Sequence, residues 1–230
     1  MTRPLTAGAS ALICLVTDGQ RLARQRPGDR VDDAIVAQVR AAAGAGVDLV
    51  QVREPARDSA SLLRLVERCV AEARGSSTGI VVNDRLDVAL AAGAAGVHLK
   101  GESFAGGRVR AVAPRPFLVG RSVHQPAEMA ALAGEGVLDY VIAGTVFESR
   151  SKPGQAPSGL ATLREMVAAA GSTPVLAIGG VSLETAGDVA AAGAAGVAAI
   201  GLFMPGDGRL PLADTVRRLR RAFDSGRGAR

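Results

Sequence analysis

The chain has 230 residues, 48% of them hydrophobic but only 3% aromatic, so its apolar content is mainly aliphatic, as in packed helices around buried parallel strands. No apolar run reaches the roughly 18 residues of a membrane helix, and the N-terminus shows no signal-peptide pattern, so a cytoplasmic protein without a membrane partner is expected. The net charge is +5, but the excess crowds the chain end at Arg217, Arg218, Arg220, Arg221, Arg227 and Arg230, without interleaved aromatics or a nucleic-acid motif, so no nucleic-acid partner is expected and a solvated arginine-rich helix is.

In chain order, apolar strand-like runs are predicted at 12–17, near 48, at 79–83, near 96, at 117–122, near 138, at 174–179 and near 196. Helical patterns separate them at 31–43, 59–73, 85–92, near 104–113, and at 127–132, 159–170, 183–192 and 212–223. A theme repeats through this series. AAAGAGVDLVQVRE (41–54), AAGAAGVHLK (91–100), ALAGEGVLDYVIAG (131–144) and AAGAAGVAAIG (191–201) each run from an alanine-rich helix end through a glycine stop into an apolar strand. Glycine supplies the left-handed helix cap, and an uninterrupted apolar run suits a strand buried on both faces. Eight alternating units predict an α/β fold, a (β/α)8 TIM barrel forming a single domain over 1–230, with flexible tails at 1–10 and 224–230. The alternative is an open doubly wound sheet. No Gly-x-Gly-x-x-Gly follows the first strand, which counts against it.

Barrel active sites lie at the C-terminal strand ends. Read in order, those ends carry Thr17 and Asp18; Gln51, Arg53 and Glu54; Asn83, Asp84 and Arg85; His98 and Lys100; Ser122 and His124; Gly144 and Thr145; Gly179 and Gly180; Ile200 and Gly201. Polar and charged groups gather there in an otherwise alanine-rich chain. AIGGVS (177–182) and AAIGLF (198–203) place glycine after the seventh and eighth strands, where backbone N–H groups of such barrels often hold a phosphate; the plainer reading is a pair of tight turns. GTVFESRSKPGQAPSGL (144–160) is a candidate lid with Lys152 at its middle. Only Lys100 and Lys152 among 27 basic residues are lysines, a scarcity with two readings: places where an ammonium is needed, or chance. Cys14 and Cys69 stand alone without metal-ligand spacing and are expected to be reduced thiols. A lone histidine such as His124 is more often a strand-end polar group than a catalyst, and its neighbourhood has to decide.

QVRE (51–54), NDRLDVALAAGAAGVHL (83–99), GRSVH (120–124), DYVIAGTVFESRSK (139–152) and PVLAIGGV (174–181) resemble, in this order, the thiamine-phosphate synthase and TenI superfamily. The resemblance implies a TIM barrel, thiamine metabolism, a thiazole phosphate as small-molecule partner and a homodimer. It also implies a choice of chemistry. The synthases join a pyrimidine pyrophosphate to a thiazole phosphate with Mg²⁺; their pattern has a Lys where this chain has Pro55 and a metal-ligating Asp where it has Ser103. Asp84 keeps the other metal position, so a metal is implied only if the chain is a synthase. The TenI-type thiazole tautomerases, which GRSVH and VFE resemble more, need no metal or cofactor and use a histidine that maps to His124. On this reading His124 is the acid/base, Gln51, Arg53, Asn83, Ser122 and Lys152 contact substrate, and Gly179, Gly180, Ile200 and Gly201 hold the phosphate. Synthase chemistry and a non-catalytic thiazole-phosphate binder are the alternatives. His98 is assigned a structural or substrate-lining role.

Overall fold

Parity sorts the side chains of every strand. Alternate residues on a strand point to opposite faces, and both faces here are apolar. Cys14, Leu49, Val81, Leu118, Tyr140, Leu176 and Ala198 pack against one another inside the barrel, while Ile13, Val50, Val82, Val97, Val119, Val141, Ala177 and Val197 pack outward against helices. The computed structural model describes residues 10–25, 28–134, 136–149, 154, 156–206 and 208–228. Its strands are β1 (Leu12–Val16), β2 (Leu49–Val52), β3 (Gly79–Asn83), β4 (Gly96–Leu99), β5 (Leu118–Val123), β6 (Tyr140–Gly144), β7 (Val175–Ile178) and β8 (Gly196–Ala199). All are parallel, each pairs with the next, and β8 closes onto β1. This is the single-domain (β/α)8 barrel expected from the repeats, and the open sheet is excluded.

The helices are α1 (Gly19–Gln25), α2 (Val31–Gly44), α3 (Ser59–Ala73), α4 (Leu86–Ala91), α5 (Gly106–Val112), α6 (Pro126–Ala133), α7 (Gly159–Ala169), α8 (Ala186–Ala191) and α9 (Leu212–Arg227). The repeated glycine stop has the predicted geometry: Gly46, Gly93 and Gly193 have φ of 74°, 64° and 96°. The Asp58 carboxylate caps α3, accepting the Ala60 and Ser61 N–H groups at 3.0 Å.

Three expectations are corrected. α1 is an extra helix after β1, too polar to announce itself, with only Gly19 and Leu22 buried. The C-terminal tail does not begin at 224, because α9 continues to Arg227; Phe223 is fully buried and the Arg227 guanidinium lies 5.0 Å from its ring. Nor is the arginine-rich helix simply solvated. Arg220 reaches the Gly46 carbonyl at 2.7 Å and Asp48 at 3.1 Å, and Asp48 in turn accepts the Ile13 N–H at 2.8 Å. The helix is thereby tied to β1 and to the turn entering β2, on the face away from the strand C-termini. Among the described residues no helix is long and apolar enough to cross a membrane.

Candidate active site

The C-terminal strand ends open into a cavity of about 660 Å³. Its floor is the top inward layer, where Val16, Ile142, Ile178 and Ala198 supply apolar surface suited to a flat ring. Of the residues predicted to contact substrate, Gln51, Arg53, Asn83, Ser122, His124, Gly179, Gly180, Ile200 and Gly201 all line it. Lys152 lies outside the described residues, as do its neighbours at 150–151 and 153. The ends of the long segment containing it are pinned, with the Ser158 and Gly159 N–H groups donating to the Thr145 and Val146 carbonyls at 2.8 and 3.0 Å.

His124 follows β5 directly and is half-buried. Its backbone N–H donates to the Glu128 carboxylate of α6 at 2.8 Å, and its Nδ1 lies 2.5 Å from the Gly144 carbonyl oxygen. A carbonyl only accepts, so Nδ1 carries a proton, and Nε2 is the ring nitrogen that gains or loses one.

Beside it a hydrogen-bonded chain of three groups runs from the buried interior to the cavity. His98 is 1% exposed; its Nδ1 lies 3.2 Å from the Tyr140 hydroxyl and its Nε2 2.9 Å from the Ser122 hydroxyl. Burial pushes the imidazole down to about 3, with Asp84 opposing and Arg121 reinforcing the shift, so the ring is neutral. Tyr140 is fully buried, and His98 Nδ1 is the acceptor at hand for its O–H. That leaves Nε2–H to donate to Ser122, whose own proton is free for the cavity. His98 therefore lines the site and orients Ser122 without titrating, consistent with the role the sequence suggested. Gln51 is 4% exposed, and its buried side-chain N–H has no partner among the described residues, a polar end that a ligand would satisfy.

The glycine turns form a cup on the opposite rim. Gly179 and Gly180 have φ of 98° and 62°, and a methyl group at Gly180 would lie 2.3 Å from the Glu148 carbonyl oxygen. Gly201 opens a single 3-10 turn, Gly201–Phe203. Sequence reasoning missed two arginines here. Arg209 donates to the Gly201 carbonyl at 2.6 Å, and the Arg21 guanidinium of α1 lies 3.4 Å from where a Gly201 methyl would be. Both line the cavity. With Arg53 and Lys100 they outnumber Glu102 and Glu148 among the charged residues that line the cavity, a balance that favours an anionic ligand. The available signal for Arg21 was the charged stretch after VTD.

Asp84 does not present an open carboxylate. One oxygen accepts the Ser103 hydroxyl and the other lies 2.9 Å from the Lys100 ammonium. Burial alone would raise this carboxyl; Ser103 and Lys100 outweigh it and hold it below the usual range. A hydroxyl, an ammonium and one carboxylate do not suit Mg²⁺, which wants several oxygen ligands and no cation beside them. Among the described residues no group of three His, Cys, Asp or Glu side chains could hold a metal. The two cysteines are buried thiols, each raised to about 12 by burial, and neither serves as a nucleophile.

Another residue the sequence reading passed over is Arg121. It is 6% exposed and donates to the carbonyls of Gly101, Ser103 and Phe104. It fixes the loop that carries Ser103 and follows Lys100.

Residues 14–203 match the family described as thiamine monophosphate synthase, TMP-TENI. The chain is 42% identical over 165 residues to a thiamine-phosphate synthase of Methanoculleus marisnigri, covering 70% of this chain and 76% of the relative. It is 40% identical over 196 residues to the thiamine-phosphate synthase of Anaeromyxobacter dehalogenans, covering 85% and 86%. Among solved structures it is similar to thiamine phosphate pyrophosphorylase from Pyrococcus furiosus, with a TM-score of 0.76 and 26% identity over 96% of this chain and 98% of that one. A 3-hexulose-6-phosphate synthase, 20% identical with a TM-score of 0.57, shares the fold.

Proposed function

Because this chain belongs to the thiamine monophosphate synthase (TMP-TENI) family, an enzyme family of thiamine biosynthesis, we propose that it acts on a thiazole phosphate, and that its reaction is the proton shift that aromatises a carboxylated thiazole phosphate. The observation that carries this reading is His124: an imidazole at the cavity wall whose Nδ1 is bound to the Gly144 carbonyl, which leaves Nε2 as the nitrogen that can exchange a proton with a ligand. In the reaction Nε2 removes a proton from one ring position and a proton is returned at another, so no atom is gained or lost and no cofactor takes part. Histidine suits both halves because its ordinary pKa lies near working pH. The apolar floor receives the ring, and the cup at Gly179, Gly180, Ile200 and Gly201 receives the phosphate through N–H groups, with Arg21 above it. Departures from the synthase pattern at Pro55 and Ser103, and the engaged carboxylate of Asp84, support the same reading.

A second reading is favoured by a different observation. The relatives that are 40–42% identical are named thiamine-phosphate synthases, and Arg53, Asn83 and Ser122 remain in place at the cavity. On that reading the chain joins a pyrimidine pyrophosphate to the thiazole phosphate. Both assays on one preparation separate the two. Aromatisation is followed by ultraviolet absorbance, and thiamine phosphate formation is measured with both synthase substrates and Mg²⁺. Aromatisation without thiamine phosphate is expected; robust thiamine phosphate synthesis would reject the proton-transfer reading. If thiazole phosphate binds and neither reaction proceeds, the chain is a binding protein.

A further inference from the structure

We propose that Lys100 is a built-in cation of this cavity, holding a second anionic group of the substrate, a carboxylate, where the synthase pattern provides for a divalent ion. The Lys100 ammonium is tethered to Asp84 at 2.9 Å, while its side chain is 47% exposed and lines the cavity. An ammonium has three donors; one is spent on Asp84, and the others are available to a ligand.

Three features hold this cation in place. Asp84 has a φ of 59°, in the left-handed region that non-glycine residues rarely adopt, and its N–H donates to the His98 carbonyl at 2.8 Å; such strained residues persist where their surroundings over-determine them, often at binding sites. Ser103 closes the arrangement, since its hydroxyl donates to Asp84 and accepts the Lys100 backbone N–H at 3.1 Å. Arg121 clamps the same loop by three carbonyls. A divalent ion at Asp84 would have to displace the ammonium and would find a hydroxyl where a second carboxylate is needed.

Position names the ligand class. Lys100 follows β4 and the glycine cup follows β7 and β8, so in a closed eight-strand barrel the two lie on opposite sides of the mouth. His124, on the neighbouring β5 end, passes 4.0 Å from where a Gly101 methyl would sit. A small ring bearing phosphate at one end and carboxylate at the other would span the site with His124 beside the carboxylate end. The orientation rests on the phosphate reading of the cup; the cation assignment does not.

Calorimetric titration in EDTA tests this, using the carboxylated thiazole phosphate and the same compound without its carboxylate. Lys100→Met should weaken the carboxylated ligand roughly ten- to a hundredfold and leave the other unchanged, while Lys100→Arg should keep most of the preference. Wild type should bind no stoichiometric Mn²⁺ by electron paramagnetic resonance, and Lys100→Gly with Ser103→Asp should gain it. Equal weakening of both ligands, no effect of Lys100→Met, or a stoichiometric Mn²⁺ site in wild type would overturn the proposal. A carboxylate preference that depends on Lys100 in a protein that aromatises nothing would sink the proton-transfer reading and leave this assignment standing.

Discussion

His124 Nδ1 lies 2.5 Å from the Gly144 carbonyl oxygen, and that bond decides which ring nitrogen exchanges protons with a substrate. Asparagine at 124 can donate to the same carbonyl but offers no basic nitrogen. His124→Asn should therefore lower kcat for aromatisation by about 10²–10⁴-fold with a small change in KM, and should bind the thiazole phosphate normally by calorimetry. A variant with wild-type turnover removes His124 from the reaction.

The buried His98 makes stability depend on pH in a defined window. Its imidazole is pushed down to about 3 by burial, from an ordinary 6.5. Below the ordinary value the unfolded chain binds a proton that the folded chain refuses. The contribution of the neutral ring is thus complete above that value and is lost as pH falls toward 3, by up to about 1.4 kcal/mol per pH unit. Glutamine at 98 can accept from Tyr140 and donate to Ser122 without titrating. Urea unfolding at pH 7 and pH 5 should show a smaller drop for His98→Gln than for wild type. Equal drops would mean that His98 is already accessible to protons in the folded state.

Much of this architecture was legible because it is local. The glycine stops at Gly46, Gly93 and Gly193 recur at a fixed place before apolar runs, and a parallel strand buried on both faces needs no long-range information to be recognised. The position of Gln51, Asn83, Ser122 and the glycines after β7 and β8, each at the C-terminal end of its strand, then placed them at the barrel mouth. What stayed hidden depends on contacts across the barrel. The bonds from Arg121 to the carbonyls near Ser103 join two strand ends, and nothing in GRSVH says that a charged residue on the outward face will turn up into the loop after β4. The ammonium on Asp84 was hinted at by the scarcity of lysine, but its partner was not. α1 has a single large buried side chain, Leu22, so it has no apolar stripe to read.

The glycine cup can be tested by crowding it. A methyl group at Gly180 would meet the Glu148 carbonyl oxygen at 2.3 Å and the Phe147 Cβ at 2.7 Å, at a φ of 62°. Gly180→Ala should cost roughly 1–3 kcal/mol in urea unfolding and weaken binding of the thiazole phosphate. Gly107→Ala, in α5 where a methyl meets nothing within 4 Å, should leave stability unchanged or raise it by up to about 1 kcal/mol and leave binding alone. Undiminished binding by Gly180→Ala would place the phosphate elsewhere.

Arg121 supports the site at one remove, and its removal should show that in two readouts. Its guanidinium satisfies three carbonyls of the loop after β4 while itself buried. Methionine fills similar volume but donates nothing, so Arg121→Met should cost roughly 2–4 kcal/mol in urea unfolding, from buried carbonyls left without partners. The loop should also lose order: amides of residues 101–104 should exchange hydrogen faster, while those of β1 and β8 on the far side keep their protection. Substrate KM should rise more than kcat falls, because Lys100 and Ser103 lose their fixed positions while His124 keeps its bond to Gly144. A fall in kcat alone, with unchanged exchange at 101–104, would show that Arg121 acts on the chemistry and not through the loop.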